Sequence, residues 1–196
     1  MHAYTADAPD RRIAPIVIGA LAIFLALGLS RLLTALDLSP PWWIDTPSVL
    51  GFYWPLWRIY DRWAWKWRLG PLALSTIRNF SGSWHGIVTS SYDSTAEVKA
   101  TLTIVQRWLS ILITLETEWS RSHSTMAQIG GEGVQQPGLQ YVFRNQPRPL
   151  SPPTMVAHQG IAHMRLSKDG NELNGDYEAG MQRNNAGRMH FVRQSP

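Results

Sequence analysis

The pattern of apolar and polar residues changes character near residue 77. Ahead of that point, residues 13–29 form one apolar run without a charge or a strongly polar side chain, bracketed by Arg11, Arg12 and Arg31. As a helix rising about 1.5 Å per residue the run is roughly 26 Å long, and the apolar residues 32–36 bring it close to the ~30 Å hydrocarbon core of a bilayer. It reads as a membrane-spanning helix. Residues 44–67 read as a second, poorer membrane segment. Its apolar centre, residues 49–57, is short; Pro47 suits a helix start and Pro55 weakens the middle. Arg58, Asp61, Arg62 and Lys66 follow at roughly helical spacing, from which long basic side chains reach the headgroups.

Spanning, as the second half of a helical hairpin, is favoured over lying in the interface. Arg11 and Arg12 precede the first helix, Asp37 and Asp45 lie between the segments, and the basic cluster follows the second. The positive-inside tendency then puts both ends in the cytoplasm. A cleaved signal peptide is the competing reading of residues 13–29. The run exceeds the about 7–15 residues of a usual signal-peptide core, and the Thr34-Ala35 region makes a poor cleavage site.

After residue 77, short runs alternate apolar and polar positions between Gly, Pro, Asn and Asp. Eight strands are expected, at residues 82–92, 96–107, 109–119, 122–129, 139–144, 154–166, 172–178 and 187–193. Val98, Ala100, Leu102 and Ile104 share one face of their run; Lys99, Thr101 and Thr103 share the other, where a solvent-facing edge is favoured. Lys168-Asp169-Gly170-Asn171 is a hairpin turn signal. Residues 146–153 hold four of the thirteen prolines and are excluded as a central strand. The fold class is therefore mainly β with membrane helices: a two-helix region over 1–76, then a small eight-stranded antiparallel barrel over 77–196, with a sandwich as the alternative. Eight strands just enclose a small ligand. Polar residues on both faces of several strands imply that some inward positions are not plain core.

Composition sharpens this only in places. Seven of ten tryptophans fall within residues 42–67, as expected for a segment at the membrane interface. The net charge is +4, with basic residues crowded beside the apolar segments and near the C-terminus. With no cysteine, disulfides and thiolate chemistry are excluded. The six histidines, His2, His85, His123, His158, His163 and His190, show no metal spacing; His158 and His163 fall on opposite faces of one strand. No nucleophile elbow, phosphate loop or dinucleotide fingerprint occurs, and Glu116 and Glu118 lack an acid–base context. Neither catalysis, nor a metal, nor a cofactor is expected.

Four motifs, in order, carry a resemblance across nearly the whole chain: Pro-Ser-x-x-Gly-x-Tyr at 47–53, Tyr-Asp-Arg-x-x-Trp-Lys at 60–66, Gly-x-Trp-x-Gly at Gly82, Trp84 and Gly86, and Leu-x-Gly-x-Tyr at Leu173, Gly175 and Tyr177, followed by Arg183, Gly187 and a strand ending at Arg193. With the two membrane segments, the chain resembles the two-transmembrane, β-strand-rich effectors of bacterial cyclic-oligonucleotide antiphage signalling (CBASS), the CD-NTase-associated proteins with a small membrane-anchored barrel. The resemblance implies an inner-membrane, multi-pass protein with a cytoplasmic barrel. The barrel would bind a cyclic dinucleotide made by a phage-sensing nucleotidyltransferase. Ligand-dependent homo-oligomers would then disrupt the membrane through their helices and kill the cell; no nucleic acid polymer is implied. Residues 181–185 depart from the pattern, having Met-Gln-Arg-Asn-Asn where small and hydroxyl residues are common, so nucleotide choice could differ.

Two phosphates and two bases call for basic donors, stacking faces, and amides or hydroxyls. The candidates are Arg183 and Arg188 near the last turn, Arg144 at a strand end, Tyr177, Tyr141 and Trp119 as aromatic faces, and Trp84, for which a packing role at one end of the barrel is favoured. The rival functions are a membrane-tethered, lipocalin-like barrel for an apolar small molecule and an anchored assembly module without a ligand. The inward face discriminates: a carrier needs an apolar cavity, a nucleotide receptor needs Arg and amides there.

Overall fold

The computed structural model describes residues 1–37, 45–69, 72–130, 138–153, 155–180 and 185–194. In chain order the elements are β1 (His2–Ala3), β2 (Thr5–Ala6), α1 (Asp10–Ala35), α2 (Asp45–Arg62), β3 (Arg68–Leu69), β4 (Leu72–Ala73), β5 (Gly82–Ser90), β6 (Asp93–Gln106), β7 (Ser110–Thr117), β8 (Ser120–Ile129), β9 (Gly138–Pro147), β10 (His158–Leu166), β11 (Glu172–Ala179) and β12 (Ala186–Arg193). They divide into a helical unit, Ala8–Thr76, and a β unit formed by Ile77–Pro196 together with Met1–Asp7.

In the helical unit α1 packs against α2. The buried positions of α1, Ala14, Ile18, Ala22 and Ala26, recur every fourth residue and form one narrow stripe. The rest of the helix is uncovered: Ile16 and Phe24 are 72% and 73% exposed. Leaving a large apolar side chain in water costs about 1.5–3 kcal/mol relative to burying it, so this surface is made for lipid rather than solvent. Among the described residues α1 is the one helix long and apolar enough to cross a membrane. α2 is less apolar, is interrupted by Pro55 and stacks Tyr53 on Trp57 at 6.0 Å. Asp10, at the start of α1, accepts hydrogen bonds from the hydroxyls of Ser75 and Thr76 at 2.6 and 2.5 Å. The carboxylate suits a helix N-terminus, and it pins the beginning of the unit to its end.

In the β unit each strand from β5 to β12 pairs antiparallel with the next, and β12 returns to β5, closing an eight-stranded barrel. All eight expected strands are present. β9 runs beyond the expected residue 144 to Pro147, which pairs with Ser120; a proline at the strand's last position takes no donor from its middle. The turn after β10 holds Gly170 at φ 79°, and the Asp169 carboxylate accepts from the Asn171 amide N–H at 3.3 Å and from the Ser167 hydroxyl.

The seam between β7 and β8 is the exception to regular pairing. The two strands pair directly only where Thr114–Glu116 meet Arg121–His123. A bulge between Ser124 and Met126 turns β8 away. The N-terminal residues fill the wedge: β1 pairs antiparallel with β7, and β2 pairs parallel with β8. Tyr4, 4% exposed, donates its hydroxyl to the Trp108 carbonyl at 2.9 Å. Residues 1–7, read from the sequence with the membrane region, thus build part of the barrel; strands of two residues carry no periodicity for a sequence to show.

Core residues differ between the two ends. Trp84, Trp108, Phe80, Phe191, Leu102, Ile104, Ile111 and Ile113 are all but fully buried and fill one end. Gln106, 2% exposed, is satisfied there by the Phe80 N–H at 2.8 Å and the Arg78 carbonyl at 3.0 Å. At the other end the inward residues of β8 are serines, Ser120 and Ser122. One end is plugged; the other is less filled and lined by apolar and aromatic side chains with several polar groups among them.

Candidate ligand-binding site

The less filled end contains a cavity of about 160 Å³. Alternation along each strand decides what it presents. β9 turns Tyr141, Phe143 and Asn145 inward, and β8 contributes Ser120 and Ser122. β5 supplies Val88 and Ser90, β7 supplies Leu115 and Thr117, and His158 and Tyr177 come from β10 and β11. Trp119, Met155 and Asn185 lie in the connections around the mouth.

The aromatic rings form one cluster centred on Phe143. Tyr141, His158 and Tyr177 lie 6.3, 6.2 and 6.4 Å from it, the last two edge to face. Two glycines make room for these rings. A Cβ at Gly187 would sit 1.9 Å from the Thr89 carbonyl and 2.4 Å from the Tyr177 ring, and one at Gly160 would sit 2.5 Å from the Phe143 ring. His158 Nδ1 lies 2.9 Å from the Val156 carbonyl; a carbonyl only accepts, so Nδ1 carries a proton and donates it there. Burial pushes the Tyr141 phenol above its ordinary value. Asn185 donates Nδ2–H to the Ser90 hydroxyl at 3.0 Å, while its Oδ1 is buried without a hydrogen-bond partner among the described residues. No Lys, Arg, Asp or Glu is among the described residues that line the cavity.

The structure brings together three of the seven sequence candidates, Tyr141, Tyr177 and Trp119. Arg144 and Arg188 lie on the outer face, because each alternates with inward neighbours, Phe143 and Asn145 in one case, Gly187 and Met189 in the other. Arg188 shares an outer groove with His163, Arg165, Lys168, Asp176 and His190. Trp84 belongs to the plugged end: its indole donates to the Phe80 carbonyl at 3.2 Å and carries the Arg193 guanidinium at 4.2 Å. Arg183 lies outside the described residues. Thr101 and Thr103 are on the outer face. Sequence reasoning missed Phe143, Asn145, Ser122 and Asn185; the alternation Leu139, Tyr141, Phe143, Asn145 was the available signal for the first two. Among the described residues no group of three or more His, Asp or Glu converges as metal ligands would.

Fold and cavity define a class: a β-barrel with a ligand-sized cavity, joined to an apolar helical unit. Within it, the family model described as "Cap15, cyclic dinucleotide receptor domain" matches residues 75–193, and the one described as "Cap15, TM helices" matches residues 13–66. A curated relative, CD-NTase-associated protein 15 of Yersinia aleksiciae, is 33% identical over 152 residues, covering 74% of this chain and 69% of the relative. The chain belongs to the Cap15 family of CBASS effectors, a family of receptor and effector domains rather than of catalytic ones.

Proposed function

We propose that this protein is an inner-membrane effector that couples cyclic-dinucleotide binding in the barrel to membrane disruption by its helices, ending in death of the infected cell. The cavity carries the reading. It offers aromatic faces for a base, with hydroxyls and amides around them for base edges, inside a domain of the receptor family. A ligand shifts only equilibria in which it binds one state better. Binding therefore favours a barrel state that self-associates, and association gathers the helices. A poorly matched α2 is then the place where a clustered assembly thins or opens the bilayer.

Both membrane segments are assigned as spans, with the barrel in the cytoplasm. The support is the tie between Asp10 and Ser75–Thr76. If α1 crosses the bilayer, the chain must come back to reach Asp10 again, and α2 is the element available for the return.

The rival, a carrier of apolar molecules, draws on the absence of charge from the described lining. Asn185 counts against it, because an apolar cargo would leave its buried Oδ1 unpaired. Titration of the full-length protein in nanodiscs with a panel of cyclic dinucleotides tests the reading. At least one should bind, and Tyr177→Ala and Arg183→Ala should weaken it. Binding of fatty acids but of no cyclic dinucleotide would support the rival.

A further inference from the structure

We infer that the cavity receives a single nucleobase of the ligand and reads its edge through Asn185, while the sugar–phosphate ring stays outside the barrel. The inference rests on the receptor reading and adds which part of the ligand enters.

Size comes first. The cavity is about 160 Å³, and an apolar protein cavity of about 150 Å³ holds a molecule the size of benzene. One base ring system is of that order. A whole cyclic dinucleotide, with two bases, two sugars and two phosphodiesters, is several times larger.

Charge agrees with size. A phosphodiester taken into a barrel needs a cation or several N–H donors to replace its water. None of the described lining residues is Lys or Arg. Arg121, Arg144 and Arg188, the described arginines that adjoin lining residues in sequence, all lie on the outer face. A base carries no charge and asks for a flat apolar surface, which the Phe143, Tyr141 and Tyr177 rings supply.

Asn185 then gives selectivity. One end of its amide is held by Ser90, the other is buried without a partner among the described residues, and the residue lines the cavity. Turning the amide over exchanges which end is held and still leaves one end unpaired. A buried unpaired amide oxygen calls for an N–H on the incoming edge. A site built around such a group rejects rings that cannot supply the bond.

The test uses the full-length protein in nanodiscs, with thermal unfolding as a control on folding. Cyclic dinucleotides of differing base composition and an analogue lacking one base are titrated into wild type, Asn185→Leu and Ser122→Phe. Asn185→Leu should weaken the preferred ligand on the order of ten- to a hundredfold and flatten the preference among bases. Ser122→Phe places a ring in the slot and should abolish binding. The analogue missing the inserted base should bind at least tenfold more weakly than the intact ligand. If Ser122→Phe does not fold, Asn185→Leu and the analogue still decide. Unchanged affinity and base preference in Asn185→Leu, with equal binding of the base-deleted analogue, would overturn the inference and leave the receptor reading standing. Failure of every cyclic dinucleotide to bind wild type overturns both.

Discussion

Tyr141, Phe143 and Asn145 show how a single residue step along β9 separates a cavity wall from solvent, since Arg144 between them points outward. The sequence made this face legible as an alternation. It did not say which face the barrel encloses, because that depends on closure through β12 and β5. Charge-based reasoning therefore selected Arg144 and Arg188, and passed over Phe143 and Asn185. Buried Tyr141 has consequences of its own. Its phenol is held above the ordinary value of 10.0 by burial, so the fold keeps the neutral form. Stability from that preference is complete below about pH 10 and is lost as pH rises toward the raised value, because the unfolded chain ionises first. Thermal unfolding between pH 8 and pH 11 should show a steeper alkaline loss for wild type than for Tyr141→Phe; identical slopes would contradict this. Packing around Tyr177 gives a second prediction. Gly187→Ala drives a Cβ into the Thr89 carbonyl and should cost about 1–3 kcal/mol in chemical denaturation. A wild-type midpoint would show that the strands relax around it.

At the scale of elements, the eight barrel strands were readable because each runs eight residues or more and alternates. The two strands of the N-terminal segment were not, since two residues define no period. Yet they fill the wedge where β8 leaves β7. The bulge behind that wedge is stabilised from both sides: the Ser124 hydroxyl accepts the Ile113 N–H at 3.0 Å and bonds His2 Nε2 at 2.7 Å. Tyr4→Ala should therefore destabilise the barrel by roughly 3–5 kcal/mol, as for other large buried aromatics, although residue 4 precedes the membrane helix. Hydrogen exchange should report faster opening of Ser110–Thr117. Unchanged protection there would mean the segment only rests on the barrel. The segment also explains why cleavage after residue 35 would damage the receptor: it would remove both short strands.

For the whole molecule, the absence of cysteine allows a clean test of topology. Single substitutions Ala8→Cys, Asp37→Cys and Arg78→Cys can be labelled in sealed inside-out vesicles with a membrane-impermeant maleimide. Ala8→Cys and Arg78→Cys should react and Asp37→Cys should be protected until detergent is added. Reaction of all three would contradict a spanning hairpin. That the chain carries an apolar anchor was legible from residues 13–29 alone. The charge distribution favoured a spanning second segment, although α2 is short, aromatic and interrupted by Pro55; the bonds from Ser75 and Thr76 to Asp10 link residues some 65 positions apart, which local pattern does not reach.

The coupling of barrel to membrane is the central claim, and dye release measures it most directly. Full-length protein is reconstituted into dye-loaded liposomes and exposed to each cyclic dinucleotide of the panel. One or a few should trigger rapid release from wild type, and Tyr177→Ala liposomes should stay sealed at the same concentration. Liposomes that remain tight while the same nucleotide demonstrably binds would contradict the account.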